Sequence, residues 1–155
     1  MPVGLIYDEV KIMQTWLKLI GSVKKPLTSP DYQGRWEAKH IGFRKTGKPS
    51  FRAGDQAFLY APGGTKSIFA LAEIISDPEI NEQYDPNEEG SCYWNVKVNY
   101  LINHPVDCGI NIEEITTKNR NLSKSIQRQS HIRLFPEEAE LAFHKLQKKV
   151  RKMLT

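Results

Sequence analysis

The sequence predicts an α+β fold, a small antiparallel or mixed β-barrel flanked by N- and C-terminal helices. Three observations carry that expectation. Residues 55–61 and 66–77 are two apolar runs joined by Pro62-Gly63-Gly64-Thr65, the pattern of a β-hairpin. Residues 92–102 alternate, with Trp94, Val96, Val98 and Tyr100 on one side and Tyr93 and Asn95 on the other, as a long half-buried strand does. Both ends of the chain place apolar residues at helical spacing.

At the N-terminus, residues 8–24 read as a helix. Asp8 is its N-cap, and Val10, Met13, Trp16, Leu17 and Ile20 form one apolar face, so Trp16 belongs to the core. Pro26 and Pro30 end it. A polar, acidic loop from Pro78 to Ser91 separates the hairpin from the long strand. Residues 112–118 and 122–129 read as short helical turns. After Phe135-Pro136 comes the closing helix, with Glu137, Glu138 and Glu140 near its positive end. Leu141, Phe143, Leu146, Val150 and Leu154 form its apolar face, and Lys145, Lys148, Lys149, Arg151 and Lys152 load its second half. Repeats and inter-domain linkers are lacking. The expectation is one domain over 1–155, with helix and linker in 1–30 and barrel and closing helix in 31–155.

A chain of 155 residues with 39% hydrophobic and 26% charged residues needs no metal or disulfide to fold. It holds no run of about 18 apolar residues, which excludes a membrane-spanning helix. Neither a charged leader nor a long apolar one opens the sequence, and Cys92 and Cys108 are its two cysteines. A reduced, cytoplasmic protein is expected. The net charge of +4 is unevenly spread: +5 over residues 1–60, −8 over 61–115 and +7 over 116–155. Two basic segments around an acidic one suit an anionic partner such as nucleic acid, although a solvated surface with a basic terminal helix gives the same sums.

Catalytic motifs are few. There is no phosphate-binding Gly-rich loop, no Cys-x-x-Cys, no His-Glu-x-x-His and no Gly-x-Ser-x-Gly. His104 and Cys108 lack a second ligand pair for zinc, and His40, His131 and His144 show no triad spacing. No cofactor is expected. The aromatic residues say more. Trp36 lies in the polar stretch Gly34-Arg35-Trp36-Glu37-Ala38-Lys39-His40, where an indole either covers the end of a sheet or walls a pocket for a stacked base.

Several segments, in order and spacing, resemble one family. Gly54-Asp55-Gln56-Ala57-Phe58-Leu59-Tyr60-Ala61, then Ile68-Phe69-Ala70-Leu71-Ala72-Glu73-Ile74-Ile75, are similar to the paired strands of EVE domains. Tyr93-Trp94-Asn95-Val96-Lys97-Val98-Asn99-Tyr100-Leu101 with His104-Pro105-Val106 resembles the family's next strand. The segment Leu122 to Leu134 resembles its last motif before the closing helix. The similarity spans about residues 32–147. Where the family commonly has a compact Arg-Asn-rich loop, this chain reads Lys39 to Lys48.

The resemblance implies a PUA-like barrel, related to YTH and ASCH domains, that binds nucleic acid without catalysis and holds a methylated base in an aromatic pocket. On that reading Trp36 is one wall, with Tyr84, Tyr93 or Trp94 as a second. Ser67, Asn95 and Asn99 are candidate readers of the base edge, and Arg35, Lys39, Arg44, Lys45, Lys48 and Arg52 meet phosphates. The partner is DNA or RNA, with room for an effector protein beside it and no membrane. Two alternatives accompany it. One is a small amidohydrolase of modified nucleosides, as in ASCH-type relatives, with Lys39 and Glu37 or Glu73 as acid and base. The other is a protein-interaction module built on the basic C-terminal helix.

Overall fold

A computed structural model describes residues 13–21, 36–63, 66–88, 90–118, 120–127 and 129–154. Its strands are β1 (Thr15–Leu19), β2 (His40–Phe43), β3 (Gln56–Ala61), β4 (Ser67–Ile74), β5 (Glu79–Ile80), β6 (Trp94–Asn103), β7 (Ile110–Asn111) and β8 (His131–Arg133). Two helices follow the sheet's later strands, α1 (Leu122–Ser125) and α2 (Pro136–Leu154). The sheet order is β2–β6–β4–β3–β1–β8, with β5 also on β6 and β7 on β4.

The first strand corrects the sequence reading. Thr15–Leu19 is not helical; it pairs in parallel with β3 and antiparallel with β8. Trp16 and Ile20 enter one apolar layer and Leu17 the other, with Leu19 packed against that second layer. A strand buried on both faces is apolar nearly throughout, and periodicity alone cannot separate it from a buried helical turn. The expected helix residues 8–12 and 22–24, and the proline-bearing segment after them, lie outside the described residues.

The hairpin formed as expected, β3 pairing antiparallel with β4. So did the long strand β6, the short helical turns at 112–114 and 122–125, and the closing helix. The sheet curls into a half-barrel. Although β2 and β8 stand at opposite ends of the strand order, the rings of Phe43 and His131 lie 5.2 Å apart. Small residues make that curl possible: Ala57, Ala61, Ala70 and Ala72 all belong to the layer it encloses, around Phe43, Phe51 and Phe69. The other layer, centred on Phe58, Ile68 and Leu71, is covered by Leu122, Ile126, Ala142 and Leu146 of the helical segments. At one end of the barrel Gly109 is obligatory, since a Cβ there would stand 2.1 Å from the Ile68 carbonyl oxygen.

One buried ion pair ties α2 to the sheet. Glu138, 0% exposed, receives Arg120 Nε and a terminal guanidinium nitrogen, each at 2.8 Å. The same Arg120 donates to the Arg133 carbonyl at 2.6 Å, and Phe135 N–H donates to Glu138 Oε1 at 2.8 Å, capping the helix. His104 is tied here too, its ring nitrogen donating to the Leu146 carbonyl at 3.2 Å. Removing one member of a buried, hydrogen-bonded pair strands the other. Glu138→Ala is therefore expected to cost about 3–5 kcal/mol, measured by urea or guanidinium unfolding, with a clear fall in Tm.

Candidate functional site

The site starts from Asp55. Gly54, at φ +97°, turns the chain so that the carboxylate folds inward at the head of β3, where Asp55 is 6% exposed. Three N–H groups converge on it: Gln14 backbone at 3.1 Å, Trp16 Nε1 at 3.0 Å and Arg52 backbone at 3.0 Å. Both carboxylate oxygens thus accept, and the Trp16 indole is oriented by its bond to Oδ2. That ring stacks on Phe51 at 4.6 Å and 20°.

His131 stands against the same aromatic group. Its ring meets Trp16 at 5.6 Å, Phe43 at 5.2 Å and Phe51 at 5.0 Å, all edge-to-face. Its register partner on β1 is Lys18, 6% exposed, whose ammonium donates to the Leu19 carbonyl at 2.9 Å and Ser130 Oγ at 3.1 Å and lies 4.9 Å from the Phe43 ring centre. Burial lowers the Lys18 pKa to about 8, with Cys92 opposing and Arg44 adding to the effect. Burial, then the charge of Lys18, pushes His131 down to about 4, so its imidazole is neutral at physiological pH.

Above this floor opens a cleft of about 520 Å³, lined by Trp16, His131, Gln129, Arg133, Phe135 and Ser50 together with Arg120 and Ser125. Its volume is that of a small-molecule site. Phe135 is 43% exposed and carries the Arg120 guanidinium 4.3 Å from its ring centre, itself anchored on Glu138. Ser50 also borders a second hollow of about 290 Å³, lined by Lys48, Phe51, Arg52 and Asp77 among others. The cleft thus has an aromatic floor and rim, polar walls and an exposed cation at Arg133, and the neighbouring hollow that shares Ser50 adds the exposed cations Lys48 and Arg52.

A family model for the EVE domain matches residues 24–145. The chain belongs to the EVE domain family. Solved structures with the same fold include Rpa0253 from Rhodopseudomonas palustris, 20% identical over 84% of this chain and 90% of that one, with a TM-score of 0.51. The DUF55 domain of human thymocyte nuclear protein 1 is 17% identical, with coverage of 88% and 98% and a TM-score of 0.53. Human THYN1 protein in complex with 5-methylcytosine-containing DNA is 16% identical, with coverage of 88% and 97% and a TM-score of 0.52. Among curated proteins nothing matches.

In this EVE domain the residues expected to form the site fall in separate places. Trp36 is half-buried against the enclosed apolar layer, its carbonyl accepting from Asn103 Nδ2 at 3.0 Å. It lines neither hollow. Asn103 and Trp94 are opposite ends of β6, roughly 30 Å apart at about 3.3 Å per residue. At the Trp94 end, Tyr84, Tyr93 and Trp94 form an edge-to-face series at 5.2 and 5.1 Å. Lys45 lies over both tyrosines and Lys48 over Trp94. Asn95 pairs with Gly42 and Glu79, and Asn99 is exposed opposite Glu73. Ser67 is 2% exposed, so its hydroxyl is sealed beneath Gly109. Lys39 and Arg44 are exposed on either side of β2. Arg35 lies outside the described residues. Among the described residues of the expected set, Lys48 and Arg52 border the hollows.

The residues that do line the cleft are far apart in the sequence: Trp16 from β1, Ser50 from the segment before β3, and Arg120, Ser125 and residues from Gln129 to Phe135 from the C-terminal part. The antiparallel pairing of β1 with β8 joins the first and last of these, with Trp16 opposite Arg133 and Lys18 opposite His131. The lowered His131 pKa has a consequence for stability. Between about pH 4 and 6.5 the unfolded chain binds a proton at this residue and the folded one does not, so its contribution is present above pH 6.5 and is lost as pH falls through that window. The Tm of the wild type is expected to fall more steeply from pH 6.5 to 4 than that of His131→Gln, measured by scanning calorimetry on both; parallel curves would contradict it.

Proposed function

We propose that this EVE domain is a non-catalytic nucleic-acid-binding module that takes one unstacked base into the cleft beside Trp16, His131 and Phe135. The observation that carries the reading is the cleft itself, an aromatic-floored hollow with polar walls and Arg133 at its edge, adjoining a second hollow that bears Lys48 and Arg52. The DNA-bound human THYN1 protein, which shares the fold, supports it and makes 5-methylcytosine the first base to test.

The energetics are favourable. Extruding a base costs a few kcal/mol, and stacking on an aromatic ring returns about 1–3 kcal/mol per base. Phe135 is the exposed ring for that role, with Arg120 set against it, whereas Trp16 is only 7% exposed. Arg133, Lys48 and Arg52 meet phosphates and position the strand without reading its sequence. A fully buried methyl group adds about 0.8 kcal/mol, close to fourfold in affinity. The amidohydrolase alternative is less well supported, because Lys39 is exposed and joins neither Glu37 nor Glu73 in an ion pair among the described residues.

Fluorescence anisotropy with labelled oligonucleotides tests the reading. Affinity for 5-methylcytosine is expected to exceed that for cytosine about fourfold. Three phosphate contacts on a single strand give a slope of log K against log salt near −2. Phe135→Ala is expected to weaken binding by about 1–3 kcal/mol and Trp36→Ala to leave it nearly unchanged. Absence of binding, or full affinity in Phe135→Ala, would overturn the proposal.

A further inference from the structure

Resting on the base-binding reading of the cleft, we infer that the polar edge of the bound base is met by main chain, the outward N–H and C=O of His131 on the open edge of β8.

The alternation of hydrogen bonds in the sheet decides which groups of β8 are open. β8 is the last strand of the order and pairs with β1. Leu19 N–H donates to the Ser130 carbonyl and Leu134 N–H to the Thr15 carbonyl, each at 2.8 Å. In an antiparallel pair such bonded residues recur at every second position. Ile132, opposite Leu17, therefore bonds toward β1. His131 and Arg133, opposite Lys18 and Trp16, turn their N–H and C=O groups away from it. Of these outward groups the Arg133 carbonyl accepts from Arg120. The N–H and C=O of His131 and the N–H of Arg133 have no partner among the described residues.

That edge opens into the cleft. Arg120, which bonds to it, is itself a lining residue. The lining also takes in three consecutive residues, His131, Ile132 and Arg133, although the Ile132 side chain belongs to the second apolar layer. The cleft thus runs along the strand and not only over the face that bears the His131 ring.

An occupant displaces water from this edge, and a backbone N–H or C=O buried without a partner costs as much as a lost hydrogen bond. An apolar ring would strand both groups. A nucleobase carries an acceptor and a donor on neighbouring atoms, and the outward N–H and C=O of one residue complement such a pair as they complement a second strand. Amino and keto bases satisfy it alike, so the edge selects rings with a polar edge and does not choose among them. The methyl group of 5-methylcytosine lies off that edge. An extended peptide fits less well, because Arg120 occupies the Arg133 carbonyl and α2 begins at Pro136, leaving a stretch shorter than the roughly three residues of a minimal strand.

Amide hydrogen exchange read by ¹H–¹⁵N spectra at pH 7 gives the first test. The His131 N–H should exchange freely in the free protein and slow when an oligonucleotide with one unpaired thymine is added, while Ile132 is protected in both states. Protection of His131 in the free protein overturns the inference. So does slowing by an extended threonine-valine octapeptide and not by the oligonucleotide, which would make the edge a site for strand addition.

The second test compares oligonucleotides of one sequence that carry, at a single unpaired position, thymine or difluorotoluene, an isostere stripped of its hydrogen-bonding groups. Thymine should bind about tenfold more tightly. Replacing the His131 amide by an ester, with the imidazole kept, removes the N–H and should cut that ratio at least about threefold. Arg133→Gln, which changes only a side chain, should weaken both oligonucleotides and keep the ratio. Equal affinities in the wild type, or an unchanged ratio in the ester, overturn this inference and spare the base-binding reading. Absence of binding to any oligonucleotide removes both.

Discussion

The arrangement depends on the Asp55 carboxylate. A buried carboxylate is tolerated only when its oxygens are hydrogen-bonded, and here three N–H donors from two segments, residues 14–16 and Arg52, bond them. The Gln14 contact sets where β1 enters the sheet. The indole contact fixes the plane of Trp16, and the Arg52 contact folds the segment bearing Ser50, Phe51 and Arg52 over it. Phe51 can stack on Trp16 because that segment is held there, and the boundary shared by the two hollows runs along it.

Around that anchor the curl of the sheet does the rest. A mixed sheet with alanines on its enclosed side brings strands from opposite ends of its order within ring-contact distance. His131 is consequently packed by aromatic side chains from β1, β2 and the segment before β3, while its other side belongs to a solvent-open cleft. The second tether, Glu138 with Arg120, holds the rim as Asp55 holds the floor: it caps α2, binds the Arg133 carbonyl and props Arg120 against Phe135. Floor and rim are thus each fixed by one buried carboxylate.

Much of the scaffold was legible in the sequence because its signals are local. Pro62-Gly63 between apolar runs marked the hairpin, strict alternation marked β6, and Pro136 with three glutamates marked the start of α2. β1 was misread because Trp16, Leu17 and Ile20 satisfy helical spacing as readily as they satisfy a strand covered on both faces. The cleft was illegible for a different reason. Its residues are brought together in large part by the pairing of β1 with β8, which sets Trp16 opposite Arg133 and Lys18 opposite His131 and which no local pattern announces. Trp36 has polar neighbours in sequence, yet its ring packs against the enclosed layer in space. The resemblance to EVE domains located the fold correctly; the chemistry of the cleft depends on side chains such as Gln129, His131 and Phe135 that its soft motifs do not single out.

The central claim is that the base enters beside Trp16 and not beside Trp36 or Trp94. The three tryptophans give three indole N–H resonances, which makes one titration decisive. With ¹⁵N-labelled protein and an oligonucleotide carrying a single 5-methylcytosine, the Trp16 indole signal should shift progressively while those of Trp36 and Trp94 stay in place. A shift confined to Trp36 or Trp94, with Trp16 unmoved, would contradict the account.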